Sequence, residues 1–205
     1  MNSLHSLLTF SGLASAAAAL LNLAGWGQYL RAQAQGLSES SPVNWLVSLL
    51  LVSCAWAIQS RVSTPLQSLM YAAGAVLCLA VLLMSLRNPW KFSRADASLL
   101  GVSVLLLVAL WKEPHWAVGM MSLYYLDNYF SFSRKILLGQ TRESPGAWWI
   151  WVAAAACLLL AQPPRDPLAW VLPATNFFCW AAVLTAIAWR RRLDSSLAQQ
   201  ANSGP

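Results

Sequence analysis

Ser38-Glu39-Ser40-Ser41-Pro42-Val43-Asn44-Trp45 and Thr141-Arg142-Glu143-Ser144-Pro145-Gly146-Ala147-Trp148 set out one order of polar residues, proline and tryptophan twice, 103 residues apart. Outward from these stretches the register holds. Arg31 falls on Arg134, Gly36 on Gly139 and Gln59 on Gln162; after a slip of one residue, Pro65-Leu66 falls on Pro167-Leu168. Matches in register, each at the same place relative to the flanking apolar runs, point to an internal duplication rather than to shared apolar composition. Each copy holds three apolar runs. Because three is odd, the second copy would enter a bilayer inverted unless one further crossing lay between the two.

The composition requires a membrane. Of 205 residues, 58% are hydrophobic, against 13 Lys and Arg with 7 Asp and Glu. A soluble domain carries roughly a quarter charged residues and under half apolar ones. This excludes a water-soluble globular protein, a disordered chain and a disulfide scaffold. Runs bounded by charge and proline give seven segments, Leu7–Leu30, Val43–Gln59, Leu66–Leu86, Ala95–Trp111, His115–Leu138, Pro145–Gln162 and Leu168–Trp189, each near the roughly 20 residues that a bilayer helix needs. Lipid offers no partner for bare backbone groups, and the alternation of a barrel strand is missing, so the segments read as helices. The expected fold is an all-α polytopic membrane protein with seven transmembrane helices, two parallel three-helix bundles joined by a linker helix (3+1+3). Its parts are a first bundle at 1–88, the linker helix at 89–113, a second bundle at 114–192 and a disordered tail at 193–205. Ala14-Ser15-Ala16 has the small residues of a signal-peptidase site, but no Lys or Arg precedes the apolar run. It reads as an uncleaved first span.

The net charge of +6 is no nucleic-acid footprint, since the basic residues sit between apolar runs. With seven spans, Arg61, Lys112 and Arg165 fall on one side. Arg31, Arg87, Lys91, Arg94, Arg134, Lys135, Arg142, Arg190, Arg191 and Arg192 fall on the other. Positive charge favours the cytoplasmic side, so the N-terminus is expected outside and the C-terminus in the cytoplasm. The four cysteines, Cys54, Cys78, Cys157 and Cys179, lie singly inside apolar runs and read as small packing residues.

Gly25-Trp26-Gly27-Gln28-Tyr29-Leu30-Arg31, followed by Ser41-Pro42 and Trp45, resembles the PQ-loop motif of the PQ-loop and sugar-transporter (SWEET) clan. Ser131-Phe132-Ser133-Arg134, Ser144-Pro145, Trp148-Trp149 and Arg165-Asp166-Pro167 resemble a second copy. The order Gln28, Arg31, Ser-Pro and Trp, with the Asp-Pro before the last helix, is also similar to the lipid-A-disaccharide synthase N-terminal domain. The resemblance implies triple-helix bundles that rock about a central site, in the inner membrane of a bacterium. Gly27 and Ser131-Phe132 stand where the motif has its Pro-Gln, and Asn176 alone answers to the clan's pair of substrate-contacting asparagines, with Ala73-Gly74 in the other copy. A sugar substrate is therefore not implied.

Asp127 is the most conspicuous polar residue in the spans, about 16 Å into the fifth by helical rise. An aspartate at mid-bilayer costs on the order of 2.5–3.5 kcal/mol, so it is expected to face a cavity or a partner, with Arg134 two turns on as a candidate, or to be protonated, and to serve in cation, proton or substrate binding. A structural aspartate hydrogen-bonded within the bundle is the competing reading. Tyr124 and Asn128 share one face of that helix. In the seventh span Asn176 and Trp180 follow Pro173, which removes a backbone hydrogen bond. Asn22 and Trp56 complete the expected substrate site. Trp45, Trp90, Trp111, Trp116, Trp148, Trp149 and Trp189 read as interface anchors, and Glu39 and Glu143 as helix-start residues favoured by the helix dipole. His5 and His115 lack metal spacing, and no phosphate loop, nucleophile elbow or paired carboxylates occur. Neither catalysis nor a cofactor is expected.

Two readings follow. The chain is a transporter or transporter-like protein for a small polar solute, or a non-transporting module that binds a lipid-linked molecule, such as a glycolipid, or a partner enzyme. Membrane lipids surround either, and a homo-oligomer is compatible with both. The charge split yields a direct test. Cysteines placed at Gln140 and Ser196, in a chain whose own four are replaced, should react with an impermeant reagent only after permeabilisation; labelling in intact cells would reverse the orientation.

Overall fold

Proline opens five of the six long helices, a position where its missing N–H costs nothing and its fixed φ suits the first turn. The computed structural model describes residues 9–39, 42–62, 65–87, 97–98, 100–105, 114–162 and 167–202. The helices are α1 (Phe10–Ala34), α2 (Pro42–Val62), α3 (Pro65–Ser85), α4 (Pro114–Leu137), α5 (Pro145–Ala161) and α6 (Pro167–Asn202). No strand occurs among the described residues. Residues 97–98 and 100–105 are helical as well, and the Ser103 hydroxyl donates to that of Tyr124, halfway along α4, at 3.0 Å. The remainder of the expected fourth span lies outside the described residues, as do His5, Trp90, Trp111, Lys112 and Arg165-Asp166.

Four helices are long and apolar enough to cross a bilayer, namely α1, Pro42–Arg61 of α2, Ser68–Ser85 of α3 and Ala169–Gln200 of α6. With 17 residues, α5 is about 26 Å long, a shorter apolar helix. The 24 residues of α4 include Asp127, Arg134 and Lys135, which lower its hydropathy. Leu20, Val76, Leu123 and Phe178 are 65–70% exposed, an apolar exterior that suits lipid rather than water. The protein is an all-helical, membrane-embedded chain. One expectation fails at its end. The stretch after Leu193, expected to be disordered, continues α6 through Asn202, because Ala, Leu and Gln favour helix and Arg190 pairs with Asp194 at 2.9 Å across one turn.

The helices pair in a repeating way. Within the first triplet α3 lies against both α1 and α2, and within the second α6 lies against both α4 and α5. Between triplets, α1 packs extensively on α5 and α2 more sparingly on α4. The loops repeat too. Gly36 and Gly139 both have φ of 69°, which glycine alone adopts without strain. Around each, the same pair of bonds caps the preceding helix: Gly36 N–H to Gln33 and Leu37 N–H to Ala32, then Gly139 N–H to Ile136 and Gln140 N–H to Lys135. These are Schellman caps. The two loops meet at one end of the bundle. Glu39 N–H donates to the Arg142 carbonyl at 2.9 Å, the Thr141 hydroxyl to the Glu39 carbonyl, and Ser144 N–H to the Ser38 hydroxyl. Arg190 of α6 reaches the Leu137 carbonyl at the same end.

Close approach of α1 and α5 rests on glycine. A Cβ on Gly25 would stand 2.5 Å from Trp151 Nε1, whereas one on Gly27 meets nothing within 4 Å. Gly25→Ala should therefore lower the thermal stability of the purified protein, overpacking costing about 1–3 kcal/mol. Gly27→Ala should leave it unchanged or raise it by up to about 1 kcal/mol through helix propensity. Equal melting temperatures for the two variants would contradict this packing.

Candidate functional site

Where the triplets face each other, the side chains are aromatic. Tyr29 is fully buried and stacks on Trp151, centroids 5.6 Å apart, while Trp26 meets Trp151 edge-on at 4.9 Å and Trp45 at 5.7 Å. Trp148 joins Trp151, Phe132 and Tyr129, and Trp151 reaches Trp180 at 6.0 Å. Trp45 and Trp148, 6% and 2% exposed, are thus interior residues rather than interface anchors. Trp149 and Trp189, 63% and 59% exposed, do face outward. Counting tryptophans at span ends could not separate the two groups, because adjacent residues such as Trp148 and Trp149 lie about 100° apart on one helix and so face different surroundings.

Inside this cluster is a cavity of about 50 Å³, lined among others by Asn22, Trp26, Ser48, Gly74, Cys78, Tyr125, Tyr129, Trp151, Asn176 and Trp180. At the 103- and 102-residue offsets of the sequence matches these ten form five pairs, Asn22 with Tyr125, Trp26 with Tyr129, Ser48 with Trp151, Gly74 with Asn176 and Cys78 with Trp180. The cavity is lined from both triplets. Asn22 and Asn176, 8% and 4% exposed, supply amide donors and acceptors. Tyr71 lies beside Asn176, yet its hydroxyl and the Trp45 indole N–H, both lining the cavity, have no well-formed hydrogen bond. Buried donors of this kind carry a desolvation penalty, which a polar guest or ordered water relieves. Among the described residues no Asp, Glu, Lys or Arg lines the space.

The structure brings three of the expected site residues, Asn22, Asn176 and Trp180, to this cavity. Asn128 lines a small adjoining pocket with Asn44, Trp45 and Trp148, and Tyr124 is engaged with Ser103. Two expectations are corrected. Trp56 is 46% exposed on the outer face of α2. Asp127 is exposed as well, on the outward face of α4 with Leu123 and Phe130. It lines a lateral groove of about 840 Å³ with Ser131, Ser133, Arg134, Thr185 and Trp189, between α4 and α6. The helical phase decides this: Tyr125 and Tyr129 face the cavity, and position 127 lies roughly 160° round the helix from each at 3.6 residues per turn. Among the described residues Asp127 and Arg134 form no ion pair. Trp26, Tyr71 and Trp151 were not singled out from sequence; the repeat register, applied position by position, would have found Trp26 opposite Tyr129 and Trp151 opposite Ser48.

Glu143 also departs from expectation. It is 7% exposed, and its carboxylate accepts from the Tyr29 hydroxyl at 2.9 Å and from Trp148 Nε1 at 3.4 Å. Burial pushes its carboxyl up to about 7, against the opposing pull of the hydrogen bonds from Tyr29, Trp148 and Ser38. The cap before α5 is Ser144, which makes no side-chain cap bond, so Glu143 is not a helix-start residue.

Fold and cavity define a class, an all-helical membrane protein with an aromatic-walled cavity between two similarly packed helix triplets. Comparison with known protein families, with characterised proteins and with solved structures gave no match. Asp127→Asn should shift the melting temperature little, in keeping with an unpaired exposed side chain. A large loss in a thermal melt of the purified variant would return Asp127 to a structural role.

Proposed function

We propose that this chain is a transporter or transporter-like protein that moves a small, polar, uncharged solute by rocking two three-helix bundles about the central cavity. The observation that carries this is the cavity lined from both halves, ten of its fourteen lining residues falling in pairs at the repeat offset, with Asn22 and Asn176 among them. In transporters built from parallel repeats the substrate site lies at the repeat interface, near the midplane. An uncharged solute follows from the walls, since an ion would lose its hydration there without a counter-charge. Trp and Tyr faces with amide and hydroxyl donors suit a solute that has an apolar face and acceptor oxygens. The proposed kinship remains the one its residues resemble, the PQ-loop and SWEET clan, with solute binding and no catalytic step.

Seven crossings in a 3+1+3 plan are part of the proposal, and chain parity supports them. The loops after α1 and α4 meet at one end. An even number of crossings must separate them, and α2, α3 and α4 are three. The helical residues 97–98 and 100–105 beside Tyr124 then belong to the fourth. The basic residues Arg31, Arg134, Lys135, Arg142, Arg190, Arg191 and Arg192 gather toward that same end, which supports its assignment to the cytoplasm and, with it, an inner-membrane location.

The second reading, a module that binds a lipid-linked molecule or a partner enzyme, draws on the lateral groove, which carries Arg134 and Asp127. Uptake by proteoliposomes, screened across neutral polar solutes, separates the two. Asn176→Ala and Asn22→Ala should each lower uptake about tenfold, the equivalent of a lost buried hydrogen bond, while Trp56→Ala and Arg134→Gln leave it near the starting rate. No uptake of any solute, with co-purifying lipid lost on Arg134→Gln, would favour the second reading.

A further inference from the structure

The end of the bundle where the loops meet holds a carboxyl group whose placement the transport reading does not use. Glu143 belongs to the second half of the chain, and its Tyr29 donor belongs to the first. One carboxyl group thus joins α1 to the segment leading into α5, beside the loop–loop bonds of Glu39, Arg142, Thr141 and Ser144. On the other flank of this end, Lys135 of α4 donates to the Asn44 side chain of α2 at 3.0 Å. The position equivalent to Glu143 in the first half is Ser40, so the duplication does not call for an acid.

We propose that Glu143 is a proton-binding site that controls this end of the central path: protonated, it holds the halves together through Tyr29, with Trp148 of its own half as a second donor, and ionised, it leaves for water as the loops part. The functional consequence, proton release linked to opening, rests on the transport reading; the site itself does not.

The physical case begins with burial. Among the described residues no cation hydrogen-bonds to the carboxylate; its partners are the neutral Tyr29, Trp148 and Ser38. Charged groups lie at its solvent edge. Arg142 of its own loop and Arg190, Arg191 and Asp194 of α6 line a shallow pocket with Glu143, and Arg190 is already paired with Asp194. Lys135, from α4, is held by Asn44. Neutral partners do not repay the desolvation of a charge. In the closed arrangement the proton is bound until pH rises through about 7, while in an open, hydrated arrangement the group would titrate as an ordinary carboxyl near its unperturbed value. The closed form thus binds the proton more tightly. By linkage, its stabilisation is complete below the ordinary carboxyl range and is lost as pH rises through about 7.

The test uses purified protein in lipid nanodiscs and needs no substrate. Spin labels at Leu37 and Gln140, equivalent exposed positions in the two loops, report their separation by double electron–electron resonance in a chain whose four cysteines are replaced. Between about pH 5 and about pH 8 the distance distribution should move to longer values with a midpoint near neutrality, as the linkage requires. Glu143→Gln should hold the short distance throughout. Infrared difference spectra should show a carboxylic-acid carbonyl band titrating over the same range and missing in Glu143→Gln. Tyr29→Phe keeps the acid but removes a donor to its charged form, and should move the midpoint of that band upward. Distances that ignore pH, or a band that persists unchanged in Glu143→Gln, would overturn the site. If distances are flat while uptake proceeds, the proton site fails and the transport reading stands; if the loops respond but no solute is taken up, the reverse holds.

Discussion

The seam between α1 and α5 depends on two glycines that admit large side chains from the opposite helix. Gly25 of α1 accommodates the edge of Trp151, and Gly146 at the start of α5 accommodates Gln28, whose amide nitrogen would lie 3.1 Å from an added Cβ. Small residues are what allow helices in lipid to approach closely, because no hydrophobic gradient drives them together there. Everything at the centre of the molecule is set by this approach. It brings Tyr29 onto Trp151, it delivers Tyr29 to Glu143, and it closes one wall of the cavity. The other seam, α2 on α4, is slighter, so the two halves are bound unequally on their two sides.

Much of this architecture was legible because its signals are one-dimensional. Proline marks the first turn of five helices, and the span limits read from proline and charge fall within a few residues of the described helix ends, except that α6 runs thirteen residues past Trp189. The 103-residue matches put Gly36 on Gly139, and both are cap glycines with φ of 69°. The facing of side chains was harder. In helices that are apolar all round, composition does not say which stripe is buried. Trp56 and Asp127 were assigned to the site from residue type, and both face outward. Asn22 and Asn176 were assigned on the same grounds and face inward. What separates them is phase, and phase could be read only against a neighbour whose orientation is known.

Asp127 illustrates the weakness of arguing from cost alone. A carboxyl group at this depth is expensive in lipid, which led to the expectation of an inward-facing acid. The structure instead gives it a groove of its own between α4 and α6, with Ser131, Arg134 and Thr185 as fellow lining residues. Polar company relieves the penalty whichever side of the helix it occupies. The sequence held that information in the spacing of Asp127, Ser131 and Arg134, three and four residues apart on one face.

The size of the cavity constrains any rocking motion of the kind proposed. About 50 Å³ is room for a few waters, each needing on the order of 10–15 Å³ by this measure, and not for a sugar-sized solute. Admitting a larger guest would require the halves to move apart. The glycine seam at Gly25 and Trp151 lies about nine residues, or roughly 14 Å of helix, from the loop end, near mid-length of α1. Contacts that deep can serve as a pivot while the bonds at the end of the bundle break. Those bonds are few and polar: Tyr29 to Glu143, the loop pairings of Ser38 and Glu39, and Lys135 to Asn44. All of them are made between halves, and water can replace every one once the end opens. Polar ties at the rim over a packed aromatic centre give a molecule that can part at one end without losing its core.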